Sequence, residues 1–140
     1  MPSPQVLILL GSDSDLDAMK STVEILDGFG VANELVVASA HRSPYVVEKL
    51  VREAEGRGIK LIVAAAGMAA HLPGVVAAYT TLPVIGVPME AGALKGVDAL
   101  YAIVQMPGGV PVMCMGIGKH GAVNAGYAAV QILATADAGL

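Results

Sequence analysis

Val6-Leu7-Ile8-Leu9-Leu10 is an uninterrupted aliphatic run, and a polar loop, Gly11-Ser12-Asp13-Ser14-Asp15, follows it at once. A short apolar run that ends in a polar, glycine-containing loop is typical of a strand buried on both faces of a parallel sheet. Similar runs recur at near-even spacing, over residues 34–38, 61–65, 83–87 and 110–115. The pattern therefore predicts five strands.

Segments with helical character separate these runs. In residues 15–29, Leu16, Met19, Val23 and Leu26 fall on one face of a helix, and the charged residues lie elsewhere on it. We expect helices over residues 15–29, 44–57, 70–79, 97–105 and 122–136. Alternating strands and helices predict a parallel sheet covered on both faces, with right-handed crossovers. Five strands favour the doubly wound order 2-1-3-4-5 over a closed barrel, which needs eight.

Composition excludes several functional classes. The chain has 140 residues and a net charge of −4, which is unsuited to a surface that binds nucleic acid by neutralising phosphates. Proline and glycine interrupt every apolar stretch before it reaches the ~20 residues that cross a bilayer. Met1-Pro2-Ser3-Pro4 has no signal-peptide pattern, and a single cysteine suits a reducing compartment. We therefore expect one cytoplasmic domain over residues 1–140, with no membrane or nucleic-acid partner.

Charge is distributed unevenly along the chain. Fifteen of the 20 charged side chains lie in residues 1–60, and residues 61–89 and 99–118 contain none. Apolar surfaces of the size that the second half must form seldom face water. The pattern favours a homo-oligomer in which this half packs against other copies, over a monomer with an apolar surface.

The loop after the first strand lacks both common nucleotide-binding patterns, G-x-G-x-x-G and G-x-x-x-x-G-K-[ST]. Ser12 and the neighbouring backbone N–H groups can meet an anion or a ring substituent. The carboxylates Asp13 and Asp15 would repel a phosphate and are better suited to sugar hydroxyls. Ser14-x-x-Asp17 is also a possible capping box for the first helix.

The loop after the second strand, Ser39-Ala40-His41-Arg42-Ser43-Pro44, gives a sharper signal. Ser43 at the N-cap and Pro44 at the first helical position predict a helix start. Arg42 beside that helix N-terminus suits a phosphate. His41 is the group in this loop that changes protonation near neutral pH. A proton-transfer base beside an anion anchor predicts a site for a phosphorylated substrate.

The remaining histidines leave alternatives open. His71 lies in a loop of glycine and alanine after the third strand, where it either faces a ligand or caps a helix. His41, His71 and His120 follow different strands and have neither H-x-x-x-H spacing nor a cysteine pair, so we expect no metal site. Cys114 lies within a strand-like run, and we expect it to be buried and inert.

Six motifs in order resemble the 5-(carboxyamino)imidazole ribonucleotide mutases, also called the catalytic subunit of phosphoribosylaminoimidazole carboxylase, and the similarity runs from about residue 5 to residue 136. They are Gly11-Ser12-Asp13-Ser14-Asp15, Ser39-Ala40-His41-Arg42-Ser43-Pro44, Ala70-His71-Leu72-Pro73-Gly74, Pro83-Val84-Ile85-Gly86-Val87-Pro88, Ile103-Val104-Gln105-Met106-Pro107 and Gly121-Ala122-Val123-Asn124-Ala125. The resemblance implies a flavodoxin-like three-layer α/β/α subunit and a homo-octamer. The sequence departs from the family pattern at Met68, where relatives often have glycine, and at His120, where a small residue is usual.

The resemblance also implies an activity, that of an isomerase of purine biosynthesis. It would move a carboxylate from the exocyclic nitrogen of an aminoimidazole ribonucleotide to ring carbon C4 by way of CO2, with no metal or organic cofactor. It makes His41 the general acid/base, makes Ser12, Asp15 and Arg42 substrate-binding residues, and places Ser39, Gly67 and His71 around the site. A related branch of the family instead fixes free CO2 directly, and the motifs around Arg42 and His71 resemble the mutase branch more closely. A non-catalytic flavodoxin-like ligand-binding module is the remaining alternative.

Overall fold

A five-stranded parallel sheet forms the centre of the computed structural model, which describes residues 2–140. Its strand order, β2-β1-β3-β4-β5, confirms the predicted 2-1-3-4-5 arrangement. The strands are β1 (Val6–Leu10), β2 (Asn33–Val37), β3 (Leu61–Gly67), β4 (Val84–Met89) and β5 (Met113–Cys114). Every residue of β1 and β4 is buried, as expected of parallel strands covered on both faces.

Helices cover both faces of the sheet, which confirms the three-layer α/β/α architecture. The helices are α1 (Leu16–Gly28), α2 (Pro44–Ala54), α3 (Leu72–Ala78), α4 (Val97–Val104) and α5 (Lys119–Ala134). Because side chains alternate along a strand, Ile8 packs with α1 and α5 while Leu7 and Leu9 pack with α2, α3 and α4. None of the helices within residues 2–140 is long and apolar enough to cross a bilayer.

Some element boundaries differ from the sequence prediction. The fifth strand was predicted over 110–115, but only Met113 and Cys114 pair with β4. Pro111 has no N–H to donate, so the ladder begins after it. The third helix begins at Leu72 rather than at residue 70, because Pro73 is favoured in the first helical turn. The fifth helix begins at Lys119, three residues before its predicted start.

The register brings three loops to one edge of the sheet. The last residue of β1, Leu10, pairs with Val37 of β2 and with Ala65 of β3. Gly11 N–H donates to the Ala65 carbonyl at 3.0 Å, and Ala38 N–H donates to the Leu10 carbonyl at 2.8 Å. Because the strand order reverses around β1, the loops diverge at this edge and leave a crevice of the kind that binds ligands.

Candidate active site

The loops after β1, β2 and β3 enclose a cavity of about 320 Å³ at this crevice. All seven residues singled out from the sequence lie in its wall: Ser12, Asp15, Ser39, His41, Arg42, Gly67 and His71. The wall also contains residues that the sequence did not single out, including Ala66, Ala69, Leu72 and Ala91. Ala91 comes from the loop after β4, which we did not expect to reach the site.

The first loop is held by Ser12 rather than by the predicted cap at Ser14. Ser12 Oγ accepts a hydrogen bond from the Ser14 N–H at 3.3 Å and lies 2.9 Å from Ser14 Oγ. Ser14 is the middle residue of a short 3₁₀ turn (Asp13–Asp15), and Asp15 occupies the N-cap position of α1, so Ser14 does not cap that helix. The prediction of a capping box from Ser14 to Asp17 is therefore wrong.

Asp15 is a buried carboxyl in the cavity wall, with 7% of its surface exposed. Burial raises its pKa to about 6, and the charge of Asp13 adds to the rise while a backbone hydrogen bond with Ser12 opposes it. Asp15 Oδ2 has no hydrogen-bond partner within residues 2–140. A buried polar atom of this kind is stabilised by a ligand that supplies a donor, such as a sugar hydroxyl.

Both oxygen atoms of Ser39 accept hydrogen bonds from other residues of the second loop. Its Oγ accepts hydrogen bonds from His41 N–H at 3.2 Å and Arg42 N–H at 3.1 Å. Its carbonyl accepts from Ser43 N–H at 3.0 Å and from Ser43 Oγ at 3.2 Å. Ser43 is at the N-cap with Pro44 after it, as predicted, but its side chain bonds back to Ser39 instead of capping α2. Ser39 thus holds the backbone of His41 and Arg42 in place.

Arg42 is an exposed cation at the N-terminus of α2. The two ion pairs found within residues 2–140 join Arg52 to Glu48 and Arg57 to Glu34, so the guanidinium of Arg42 is uncommitted in this part of the chain. The positive end of a helix dipole, at the N-terminus, favours an anion beside it. The arrangement suits a phosphate group.

The third loop brings backbone and apolar side chains to the cavity. A Cβ atom on Gly67 would lie 3.1 Å from Ala91 Cβ and 3.4 Å from Met89 Cβ, so this position favours a residue with no side chain. Met68 follows with φ +52°, in the left-handed region. His71 precedes α3, and its side chain forms no capping hydrogen bond. Of the two alternatives left open for His71, the structure places it in the cavity wall.

His41 and His71 form a hydrogen-bonded pair. Their Nε2 and Nδ1 atoms are 2.5 Å apart, and the rings cross at 81° with centroids 4.6 Å apart. One ring nitrogen donates its proton to the lone pair of the other, so the bond fixes how the two tautomers are arranged. Sequence reasoning identified both residues and missed their contact, because 30 positions separate them in the chain.

The other reactive side chains lie elsewhere. His120 is exposed on α5 and is not part of the cavity wall. Residues 2–140 contain no group of three His, Cys, Asp or Glu side chains that is arranged to hold a metal ion. Cys114 is half-buried rather than fully buried, and burial raises the pKa of its thiol, which favours the unreactive protonated form.

A doubly wound parallel sheet with a polar cavity at its switch point defines an α/β protein of flavodoxin-like fold. The sequence model of the family described as AIR carboxylase matches residues 5–140, and the chain belongs to that family. The resemblance seen in the motifs is thereby confirmed.

Similar proteins carry consistent names. The chain is 56% identical over 134 residues to the N5-carboxyaminoimidazole ribonucleotide mutase of Bacillus subtilis, covering 96% of this chain and 83% of that protein. It is 53% identical over 133 residues to the enzyme of the same name from Vibrio vulnificus, covering 95% and 83%. The crystal structure of Treponema denticola PurE superimposes with a TM-score of 0.86 at 27% identity, covering 97% of this chain and 84% of that one.

Proposed function

We propose that this chain is an isomerase of purine biosynthesis, a mutase that converts N5-carboxyaminoimidazole ribonucleotide to 4-carboxy-5-aminoimidazole ribonucleotide. Membership of the AIR carboxylase family and the names of its relatives support the reaction. The observation that carries the proposal is the contact between His41 and His71 next to Arg42 in one cavity. That cavity combines a proton carrier with an anion anchor.

The wall of the cavity accounts for each part of the substrate. The phosphate binds the guanidinium of Arg42 at the positive end of the α2 dipole. The ribose hydroxyls donate to Asp15, whose Oδ2 has no partner within residues 2–140, and contact Ser12. The flat heterocycle lies against Gly67, where no side chain intervenes, with its reacting edge toward His41.

His41 moves one proton in each half of the reaction. In the first half, its protonated form gives a proton to the exocyclic nitrogen as the bond from that nitrogen to the carboxylate breaks and CO2 leaves. In the second half, ring carbon C4 attacks CO2 and forms the new carbon–carbon bond. Neutral His41 then removes the C4 proton and restores the aromatic ring, so the histidine ends as it began.

His71 positions the ring that carries this proton. Its Nδ1 is within hydrogen-bond distance of His41 Nε2. In the hydrogen bond between the two rings, one nitrogen carries a proton and the other must keep its lone pair, so the two neutral rings together can accept one further proton. His71 therefore holds the orientation of His41 while its charge changes. Ser39 Oγ holds the backbone N–H of His41.

The chemistry of the proposed reaction needs neither a metal nor an organic cofactor. CO2 leaves and adds at positions of one bound molecule, so the second half is in effect intramolecular. Holding reactants together in this way can lower a barrier by up to about 7–11 kcal/mol. The reaction depends on retaining CO2 and on excluding water from the cavity.

We further propose that the chain acts as one domain in a homo-octamer of the cytoplasm. Large apolar side chains are exposed in its charge-poor half, among them Leu94 at 60%, Tyr101 at 62% and Val104 at 50%. Subunit contacts would remove such surfaces from water. The family resemblance supplies the number of subunits, and a biosynthetic role supports the compartment.

The direct test incubates the purified protein with N5-carboxyaminoimidazole ribonucleotide, without ATP or added bicarbonate, and follows the product carboxylated at C4. We expect formation to be faster than from the unsubstituted aminoimidazole ribonucleotide with bicarbonate. The reverse order would make the chain a direct carboxylase. Failure of both reactions, with tight binding of the ribonucleotide, would make it a binding module and contradict the proposal.

A further inference from the structure

The position of His71 depends on the first turn of α3. Its side chain is exposed, and within residues 2–140 its ring has one hydrogen bond, the contact with His41. Its backbone carbonyl accepts the first hydrogen bond of the helix, from the Val75 N–H at 3.0 Å. The ring is therefore carried by the backbone at the start of this short helix. A residue that fixes this turn also fixes how His71 meets His41.

The first turn of α3 contains a glycine against which a distant methionine packs. Gly74 is the third residue of the helix, and a Cβ atom on it would lie 2.8 Å from Met106 Cε and 3.1 Å from Met106 Sδ. The end of the Met106 side chain therefore lies directly on the backbone of Gly74. Met106 comes just after α4, in the segment that leads to β5. Its unbranched thioether is flexible enough to fit closely against such a surface.

The residue before Gly74 is held by the same part of the fold. A Cβ atom on Gly86, in β4, would lie 2.5 Å from Ile103 Cγ2 and 2.9 Å from Val112 Cγ1. It would also lie 3.3 Å from Pro73 Cβ, so these three side chains converge on the bare backbone of Gly86. Two adjacent residues of α3 thus pack on the region that joins α4 to β5.

The contact with Gly74 is a distinctive feature of Met106. Within residues 2–140, Met106 belongs neither to the cavity wall nor to the apolar clusters on the two faces of the sheet. Gly74 ends the motif over residues 70–74, and Met106 lies in the motif over residues 103–107, so two motifs without a role in the site meet here. Their contact links a residue outside the cavity to the turn that carries His71.

We propose that Met106 is a positioning residue for the reaction, which holds the His71 ring against His41 by packing on Gly74. The inference rests on the proposed mutase reaction and adds to it a residue that does not touch the substrate. Without the thioether, the first turn of α3 loses its contact at Gly74, and the ring of His71 shifts. Small displacements of a positioned group reduce the rate strongly, because proton transfer depends on its geometry.

Steady-state kinetics of Met106→Ala, alone and combined with His71→Ala, test this role. We expect Met106→Ala to lower kcat about tenfold with KM nearly unchanged, because the reacting ring is misoriented. In the His71→Ala background the same substitution should change kcat by less than about twofold, since effects that act through one shared residue are not additive. Met106→Leu should restore most of the rate. Met115→Ala is the matched control, because this methionine is also partly buried but packs in the cluster with α1 and α5.

A second measurement needs no substrate, because the chain has three histidines. In protein labelled with ¹⁵N in its histidine rings, the NMR shifts of the ring nitrogens report the tautomer and the hydrogen bonding of each ring. Met106→Ala should shift the signals of His41 and His71 and leave those of His120, which is exposed outside the cavity. Met115→Ala should leave the signals of His41 and His71 as they are in the wild-type protein.

Equal losses of kcat from Met106→Ala in the wild-type and His71→Ala backgrounds would overturn the inference, because Met106 would then act independently of His71. Unchanged signals of His41 and His71 in Met106→Ala would overturn it as well, as would a loss of kcat of the same size in Met115→Ala. If the wild-type protein converts no substrate, the proposed function itself is contradicted. The ring signals then still decide whether Met106 positions His71.

Discussion

Nε2 of His41 lies 2.5 Å from Nδ1 of His71, although the two residues come from loops that follow different strands. Their loops meet because β1 lies between β2 and β3 in the sheet and the carboxyl ends of all three strands share one edge. The contact links the proton carrier of the second loop to the apolar third loop. Removing either imidazole leaves the other without its hydrogen-bond partner.

Replacing His71 should lower the rate and leave substrate binding largely intact. For His71→Ala we expect kcat to fall about 100-fold, because His41 is no longer held in its reactive orientation. His71→Asn should recover part of that loss, since an amide at this position can reach the site of Nδ1. Steady-state kinetics of both variants measure the effect. A loss that fell only on KM, or equal losses in the two variants, would contradict a positioning role.

Replacing Arg42 should mainly weaken binding. A charge-assisted hydrogen bond contributes about 1.5–3 kcal/mol, so we expect Arg42→Ala to raise KM by between about tenfold and a hundredfold. The turnover number should change little, because phosphate contacts are the same in substrate and transition state. Arg52→Ala is the matched control, since this exposed arginine pairs with Glu48 and lies outside the cavity wall. A fall in kcat alone for Arg42→Ala would refute the anchoring role.

Asp15 should make stability depend on pH. Its pKa rises from 3.8 to about 6 on folding, so the native state binds more protons than the unfolded state between these values. The free energy of unfolding should therefore fall as pH rises through about 4 to 6. Protonated Asp15 is the stabilising form, and its contribution is lost above that window. Burial of the charged carboxylate is the physical cause.

Urea unfolding at several pH values tests this expectation. Asp15→Asn should remove the slope and raise the free energy of unfolding by about 1–3 kcal/mol near pH 8, because the amide carries no charge. Asp13→Asn, at an exposed position, should leave most of the slope in place. If the free energy of unfolding of the wild-type protein stayed constant from pH 4 to about 6.5, Asp15 would not have the raised pKa assigned to it.

The sheet was predictable because its signal is local. Each buried parallel strand is an aliphatic run, and β1 matches its predicted bounds at Val6 and Leu10. The fifth strand was overpredicted because apolar composition continues through residues 110–112, whereas pairing depends on a backbone N–H that Pro111 lacks. The sequence marks where a strand is possible, and the neighbouring strand decides how much of it pairs.

The sequence predicted which loops form the site, but it did not predict the contacts between their side chains. The positions after β1, β2 and β3 were identified because parallel strands bring their carboxyl ends together. The hydrogen bond between His41 and His71 could not be predicted, because it depends on the directions of two side chains that are 30 positions apart in the sequence. The left-handed backbone of Met68 also escaped prediction, since methionine rarely adopts it. Long-range geometry of this kind carries no local pattern.

The most direct test of the central claim compares turnover and binding in His41→Asn. We expect kcat to fall by about 10²–10⁴-fold, since the asparagine amide cannot carry the proton, while calorimetry should show nearly unchanged affinity for the ribonucleotide. His120→Asn, at the exposed histidine outside the cavity wall, should behave as the wild-type protein does. Retention of most turnover by His41→Asn would contradict the assignment of this imidazole as the acid and base of the reaction.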